Sequence, residues 1–239
     1  MDRTLKVYIV FLVLLIAGIV FIDVNKPKPI NWMPTYSIKD KIPLGMYVFN
    51  EEIGSILKNQ TINKVNVTPY EYLEPKYNYD TLVKNYKVKG TFLVISEEPR
   101  LDRESIKELF YFADHGNSIF MSMKDFPPAL LDSLKIKTNS DYEYKDSIYN
   151  WVANPKLGNQ KYHLIEGIGN NYFSKIDTLH TTVLGYQSGD STRVNFIKVP
   201  YKSGFFYLHT QPAAFTNFHL LKGKIEILEP LLPPDVFFF

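Results

Sequence analysis

Cysteine is absent from the 239 residues. That one absence removes disulfides, thiolate zinc sites, a lipoprotein box and a cysteine nucleophile together. Charge of one sign is also scarce. The 27 Lys and Arg against 25 Asp and Glu leave a formal +2, too little to argue for nucleic acid, and neither Tyr86-Lys-Val-Lys-Gly90 nor Leu221-Lys-Gly-Lys-Ile225 is dense enough for a phosphate-binding stripe. No phosphate loop occurs: Ile165-Glu-Gly-Ile-Gly-Asn-Asn171 has two spaced glycines but neither the third nor a strand–helix setting. The histidines His115, His163, His180, His209 and His219 form no H-x-H or H-x-x-x-H pair. His209 and His219 could converge across a tight turn, yet no clear third zinc ligand accompanies them. The pattern therefore predicts no metal and no cofactor. Internal repeats and low-complexity blocks are missing too.

What is present is a folded composition, 45% hydrophobic and 22% charged, with 17 Tyr and 17 Phe suited to strand packing. One long apolar run stands out. Val7 to Ile22 carries no charge and gives about 24 Å of helix, short of a hydrocarbon layer of about 30 Å unless Leu5 and Val24 extend it while Lys6 and Asp23 snorkel. A cleaved signal peptide competes with an anchor, since Arg3 and Lys6 make a basic start. The following Gly18-Ile-Val-Phe-Ile-Asp-Val-Asn25 offers no small-x-small cleavage site, so an uncleaved transmembrane helix over 7–24, after a short tail over 1–6, is the expectation. Orientation cannot be read from charge, because Lys26, Lys28, Lys39 and Lys41 balance the basic start. Residues 25–42 read as an extended, proline-punctuated arm, with Trp32 either interfacial or in the core.

Met46, Phe49, Ile53, Ile56 and Leu57 recur at helical spacing after Pro43, predicting a helix that ends near Asn59. Ile62 to Val67 alternates like a short strand, and Thr81 to Tyr86 reads as a brief helix. The clearest unit follows. Gly90 to Ser96 is an apolar run of strand length. Asp102 caps a helix over Ser105 to His115 that sets Ile106, Leu109, Phe110 and Ala113 on one stripe. Gly116-Asn117 ends it, and Ser118 to Met123 gives a second apolar strand: a βαβ unit with parallel strands. Pro127-Pro128 opens a helix over Ala129 to Leu134, and residues 139–159 look irregular. Strand-like runs follow at Tyr162–Ile165, Thr181–Leu184, Val194–Val199 and Phe205–His209. The last two should form a hairpin over Pro200-Tyr-Lys-Ser-Gly204, with Gly204 placed where positive φ is tolerated.

In a doubly wound sheet, chemistry belongs at the carboxyl ends of strands, here Ser96-Glu97-Glu98 and Ser122-Met123-Lys124-Asp125. A nucleophile elbow needs small neighbours and a tight turn. Ser122 lies between Met121 and Met123 with no glycine after it. Ser122 and Lys124 could be drawn as a catalytic pair, but that spacing on an extended chain is common by chance. Glu97 and Glu98 fit a solvated helix start better than an acid/base pair. The sequons at Asn59 and Asn66 matter only in a glycosylating pathway.

Gly90-Thr-Phe-Leu-Val-Ile-Ser96, Leu101 to Ser122, and Ser203 to Asn217 with its Pro212, Phe215, Thr216 and Asn217, taken in order after Asn31 to Phe49, carry a family resemblance. The chain resembles the domain-of-unknown-function 4350 family of Bacteroidetes-type bacteria, which holds membrane-anchored, class I amidotransferase-like domains. The resemblance implies an α/β three-layer sandwich with a mainly parallel sheet over 43–221, preceded by one transmembrane helix. It places the superfamily's nucleophile position near Ser122 and Met123, where no cysteine stands, so no catalytic residue is carried over. It implies a single-pass inner-membrane protein with a periplasmic domain, working beside a MoxR-type ATPase and von Willebrand A-like proteins. Members continue to a second membrane helix. The divergent segment over 222–239, ending Asp235-Val-Phe-Phe-Phe239, is therefore expected to mark a truncated chain.

The expectation is a non-catalytic binding or scaffold domain of the cell envelope, with a ligand-binding rim of Ser96, Glu97, Ser122, Lys124, Asp125, Thr216 and Asn217. Asn217 has a competing structural role as a cap for the helix after it. The alternatives are a hydrolase acting on an envelope polymer and an accessory subunit of an ABC-type transport or gliding complex. A glycosidase would gather Trp151, Tyr70, Tyr72 and His163 in one groove with two carboxylates about 5–10 Å apart. A strained, solvent-reachable Ser122 bonded to a histidine would overturn the non-catalytic reading.

Overall fold

Residues 2–57, 60–80, 82, 84–141, 146–153, 160–188, 191–223 and 228–232 are described by a computed structural model of the chain. They fall into two units, Met1–Asn31 and Trp32–Phe239. The first is one helix, α1 (Arg3–Asn25), whose 23 residues rise about 34 Å. It is apolar on every side and buries none of its residues. A helix of that length and composition is matched to lipid rather than water, long enough to cross a membrane. It overruns the expected 7–24 at both ends because Arg3, Lys6, Asp23 and Asn25 tolerate the helix as well as the apolar run does.

The second unit begins before the expected 43. Tyr36 is already buried, and its N–H donates to Leu44 O, so the later part of the proposed arm is folded in. Helix α2 (Tyr47–Ile56) and helix α3 (Pro69–Leu73) come first, followed by a two-stranded ribbon of β1 (Tyr77–Asn78) and β2 (Asn85–Tyr86). The brief helix expected over Thr81 to Tyr86 is thus a strand at its end, and Thr81 lies outside the described residues. Residues 62–67, expected as a short strand, join no ladder, and Val67 sits in a bend.

The sequence-predicted βαβ unit is present as β3 (Thr91–Ile95), α4 (Arg103–Asp114) and β4 (Ser118–Ser122), with β3 and β4 parallel. Asp102 caps α4 by accepting the Ser105 N–H at 2.8 Å. Next come α5 (Pro128–Leu134), β5 (Lys137–Ser140), β6 (Ile148–Val152), β7 (Tyr162–Leu164), β8 (Asn171–Lys175), β9 (Thr182–Ser188), β10 (Thr192–Tyr201), β11 (Gly204–His209), α6 (Asn217–Gly223) and α7 (Leu228–Leu231). Strands β5 and β8 make a separate antiparallel pair.

The principal sheet has seven strands in the order β3-β4-β11-β10-β9-β6-β7. Only β3, β4 and β11 run parallel, and every pairing from β11 to β7 is antiparallel. The sheet is therefore mixed, not mainly parallel. Apolar runs reveal burial but not direction, whereas connection length sets direction. Helix α4 carries the chain across from β3 to β4, while Tyr201 pairs with Gly204 over two residues and can only turn β10 back on β11. Lys202, not Gly204, takes the positive φ of that turn, at 49°.

Strand alternation divides the core. Ile119, Met121, Phe206 and Leu208 join α4 and α5 in one cluster, while Phe120, Phe196 and Tyr207 join α2, α6 and Phe215 in another. The central strands are covered on both faces, as their unbroken apolar sequence requires.

Candidate functional site

The register of the parallel strands places Ile95, Ser122 and His209 side by side at their carboxyl ends. Ser122 Oγ and His209 Nδ1 lie 2.9 Å apart, and both residues are 0% exposed. Burial holds the His209 pKa down to about 3, so the ring is neutral at physiological pH. Its edge packs on Phe196 and Phe215. His209 Nε2 and both Asn150 amide atoms are buried without a partner among the described residues and border a cavity of about 10 Å³, the size of one water.

This pair has the contact of a serine nucleophile with its base, but two requirements are unmet. Among the described residues the base has no carboxylate or other protein group on its second nitrogen to orient it. Ser122 is also not solvent-reachable, and its backbone is not in the positive-φ region. The serine–histidine hydrogen bond is present, while the strain and exposure that would make it reactive are not.

Beside this sealed pair, the segment that leads into β8 is held by its own hydrogen bonds. Gln211 grips Gly169 twice, its Nε2 donating to Gly169 O and its Oε1 accepting the Gly169 N–H. Gln211 Nε2 also donates to Gln187 Oε1 at 2.8 Å. Asn171 Nδ2 donates to Lys124 O and to Asp125 Oδ1 at 2.6 and 2.7 Å. Lys124 passes close to Gly169, where a Cβ would meet its Cγ at 3.0 Å and the lysine side chain would have to shift. Together these bonds tie residues 169–171 to the segments that follow β4 and β11.

The expected rim is partly assembled. Lys124 Nζ pairs with Glu97 Oε1 at 2.6 Å, with side chains 18% and 31% exposed. Lys124 N–H donates to Glu97 O, and Ser96 N–H to Ser122 O. Ser96 Oγ donates to Glu98 O. The buried Tyr36 hydroxyl has its pKa pushed up, first by burial and then by the Glu97 charge. Ser96, Glu97, Lys124 and Asp125 thus share one rim, with Ser122 beneath it.

Thr216 and Asn217 are buried and committed elsewhere. Thr216 Oγ1 bonds Ala213 O and His219 Nδ1. Asn217 does cap a helix, but the helix is α2. Its Oδ1 accepts the Val48 N–H at 2.7 Å, and its Nδ2 donates to Asp40 O and Ile42 O. The histidine pair first considered for zinc is divided between separate networks, His209 on Ser122 and His219 on Thr216 and the Ile165 N–H. Among the described residues no three His, Asp or Glu gather as a metal set.

The aromatic groove expected of a glycosidase is not assembled. Tyr70 and Tyr72 lie on α3 against α4, while Trp151 stacks on Tyr186 and His163 on Tyr149 at the β6–β7 end of the sheet. Sequence reasoning missed His209 as the neighbour of Ser122, and it missed the Gln187–Gln211 pair. The available signal was a polar residue closing each of two apolar runs, Ser122 and His209, which parallel pairing brings together.

No family model matches the chain, and no curated protein matches it. Among solved structures, an mmIFT52 N-terminal domain superposes with a TM-score of 0.51 at 14% identity, covering 77% of this chain and 86% of that one. Gan42B, a GH42 β-galactosidase from G. stearothermophilus, gives 0.33 at 14% identity over 50% of this chain, which spans only 19% of that protein's length. A β-galactosidase from Bacillus circulans sp. alkalophilus gives 0.36 at 12% identity, covering 61% of this chain and 24% of that one. The first of these shows a shared fold; the other two carry no argument.

Proposed function

We propose that this chain is a membrane-anchored recognition domain of the bacterial cell envelope, derived from a three-layer amidotransferase-like fold and devoid of its chemistry. The observation that supports the reading is the sealing of Ser122 and His209. The Ser122–His209 contact at the strand ends is fully buried, its histidine without a second protein partner among the described residues and held neutral by desolvation. A nucleophile that substrate cannot reach contributes packing and hydrogen bonding, not turnover. The rim above it, Ser96, Glu97, Lys124 and Asp125, presents paired charges suited to recognition.

The family resemblance supports placing the domain on the periplasmic side of the inner membrane, beside a MoxR-type ATPase and von Willebrand A-like partners. Helix α1 supports the anchor. The test is to expose the full chain in detergent micelles to a fluorophosphonate reporter and to an esterase, amidase and glycosidase panel. No labelling and no turnover are expected. A covalent adduct mapped to Ser122 by mass spectrometry, absent in Ser122→Ala, would overturn the reading.

A further inference from the structure

Strand β3 ends the seven-stranded sheet, and its outer edge borders a cavity of about 520 Å³. The Ser118 N–H donates to Gly90 O and the Ser96 N–H to Ser122 O, so the even-numbered residues of this strand address β4. By alternation the N–H and C=O groups of Leu93 and Ile95 point off the sheet. Their side chains, with that of Val94, are only half-buried, whereas Ile119 to Ser122 of the neighbouring strand are fully buried.

Residues 62–67, strand-like in sequence, also line the cavity, yet no backbone hydrogen bond joins them to β3 among the described residues. Phe49 and Ile53 of α2 supply an apolar wall. Two strand-competent segments therefore border one gap with apolar packing on one side. The lining is also electrically one-sided. Among the described residues Lys39 and Lys64 border it, no Asp or Glu does, and neither lysine is ion-paired.

We infer that this slot accepts an acidic, extended peptide of a protein partner as an added strand on β3. The peptide's backbone completes the outward groups of Leu93 and Ile95, alternate apolar side chains meet Phe49 and Ile53, and its carboxylates meet Lys39 and Lys64. An unpaired strand edge is a standing template for such pairing. The cation-only lining selects against basic peptides by leaving their charge beside two like charges. The inference rests on the recognition reading and names the partner's chemistry.

The test titrates the full chain in detergent micelles against a fluorescein-labelled hexapeptide alternating valine with glutamate, read by anisotropy. Saturable binding is expected. It should weaken about tenfold or more when alternate peptide amides are N-methylated, since two or three ladder bonds are lost. It should weaken similarly when the glutamates are replaced by lysines. Leu93→Pro removes an outward N–H while leaving the ladder to β4 intact, and it should abolish binding. If that variant does not fold, the double change Lys39→Glu with Lys64→Glu carries the decision by reversing the peptide preference. Absence of saturation, or equal binding of methylated and lysine peptides, overturns the inference. So does concentration-dependent self-association lost in Leu93→Pro, which would give the edge to a second copy. None of these results bears on the Ser122 labelling, which reads a different surface.

Discussion

Asn217 Oδ1 accepts the Val48 N–H at 2.7 Å across 169 positions of sequence. Met46, the residue that should cap α2, has no side chain able to do so. Asn217 fills that role from the far end of the fold, and its backbone N–H donates to Gly45 O in the same place. Its amide closes the preceding turn through Asp40 O and Ile42 O. One buried side chain thus fixes both the start of the first helix of the folded unit and the loop that leads into it.

Replacing Asn217 by Ala should destabilise the domain by about 2–4 kcal/mol, because a cap is lost and buried backbone groups are left unpaired. Asn217→Asp keeps the acceptor for Val48 but turns a negative oxygen toward two carbonyls, so it should recover only part of the loss. Urea unfolding followed by tryptophan fluorescence is the measurement. Trp32 packs edge-on against Phe218 at 5.2 Å and reports the same corner. An alanine variant within about 0.5 kcal/mol of the parent would refute the role.

Gly204 and Gly116 separate two reasons for glycine. A Cβ on Gly204 would collide with Asn117 O and Ala113 O, both backbone atoms that cannot swing aside. At Gly116 the space is open, with Ser203 O the nearest neighbour at 3.9 Å, but φ is +84°. Gly204→Ala should therefore cost about 3 kcal/mol by overpacking, and Gly116→Ala about 1–2 kcal/mol by backbone strain. Urea midpoints for the two variants compare them directly, and equal losses would contradict the distinction.

These two glycines also show what could be read in advance. Gly116 ends α4 at positive φ as its sequence position demanded, since helix caps are local. The close approach at Gly204 is tertiary, and no local pattern marks it. The same divide runs through the fold. The βαβ unit, the β10–β11 hairpin and α5 follow from apolar runs and breakers nearby in sequence. The strand β8 was missed because Asn171 to Lys175 gains its place from β5, more than thirty residues earlier. At the rim, Ser96, Glu97, Lys124 and Asp125 were legible as strand ends. The contact of Ser122 with His209 was not, since it depends on the parallel pairing of β4 with β11 across 87 positions.

Helix α1 gives a separate prediction. Its exposed apolar surface should hold the full chain in membranes through alkaline carbonate extraction, with Met1 to Asn25 retained in the intact mass. Leu14 sits near its middle, and Leu14→Arg exchanges a favourable residue for a charged one, at about 3–4 kcal/mol of insertion free energy. The extracted fraction should rise markedly in that variant. Unchanged partitioning would assign membrane binding to something other than this helix.

The buried histidines set the response to acid. Burial lowers the His209 pKa to about 3 and that of His219 to about 4, while both would titrate near 6.5 in an unfolded chain. Between those values the unfolded chain binds protons that the folded one refuses. The stability is therefore complete above about pH 6.5 and falls as the pH drops, by up to about 1.4 kcal/mol per pH unit for each histidine. Asp102, whose pKa the Ser105 N–H lowers, adds its own loss only in the more acidic range where carboxylates titrate. Urea midpoints should hold steady from pH 8 to 7 and then decline toward pH 5. His209→Gln should lower the plateau, by disturbing the Ser122 contact, yet flatten the decline by about half, because only His219 remains to refuse its proton. Parallel curves for parent and variant would mean that His209 is protonated in the folded state, and the sealed, neutral histidine on which the non-catalytic reading rests would have to be abandoned.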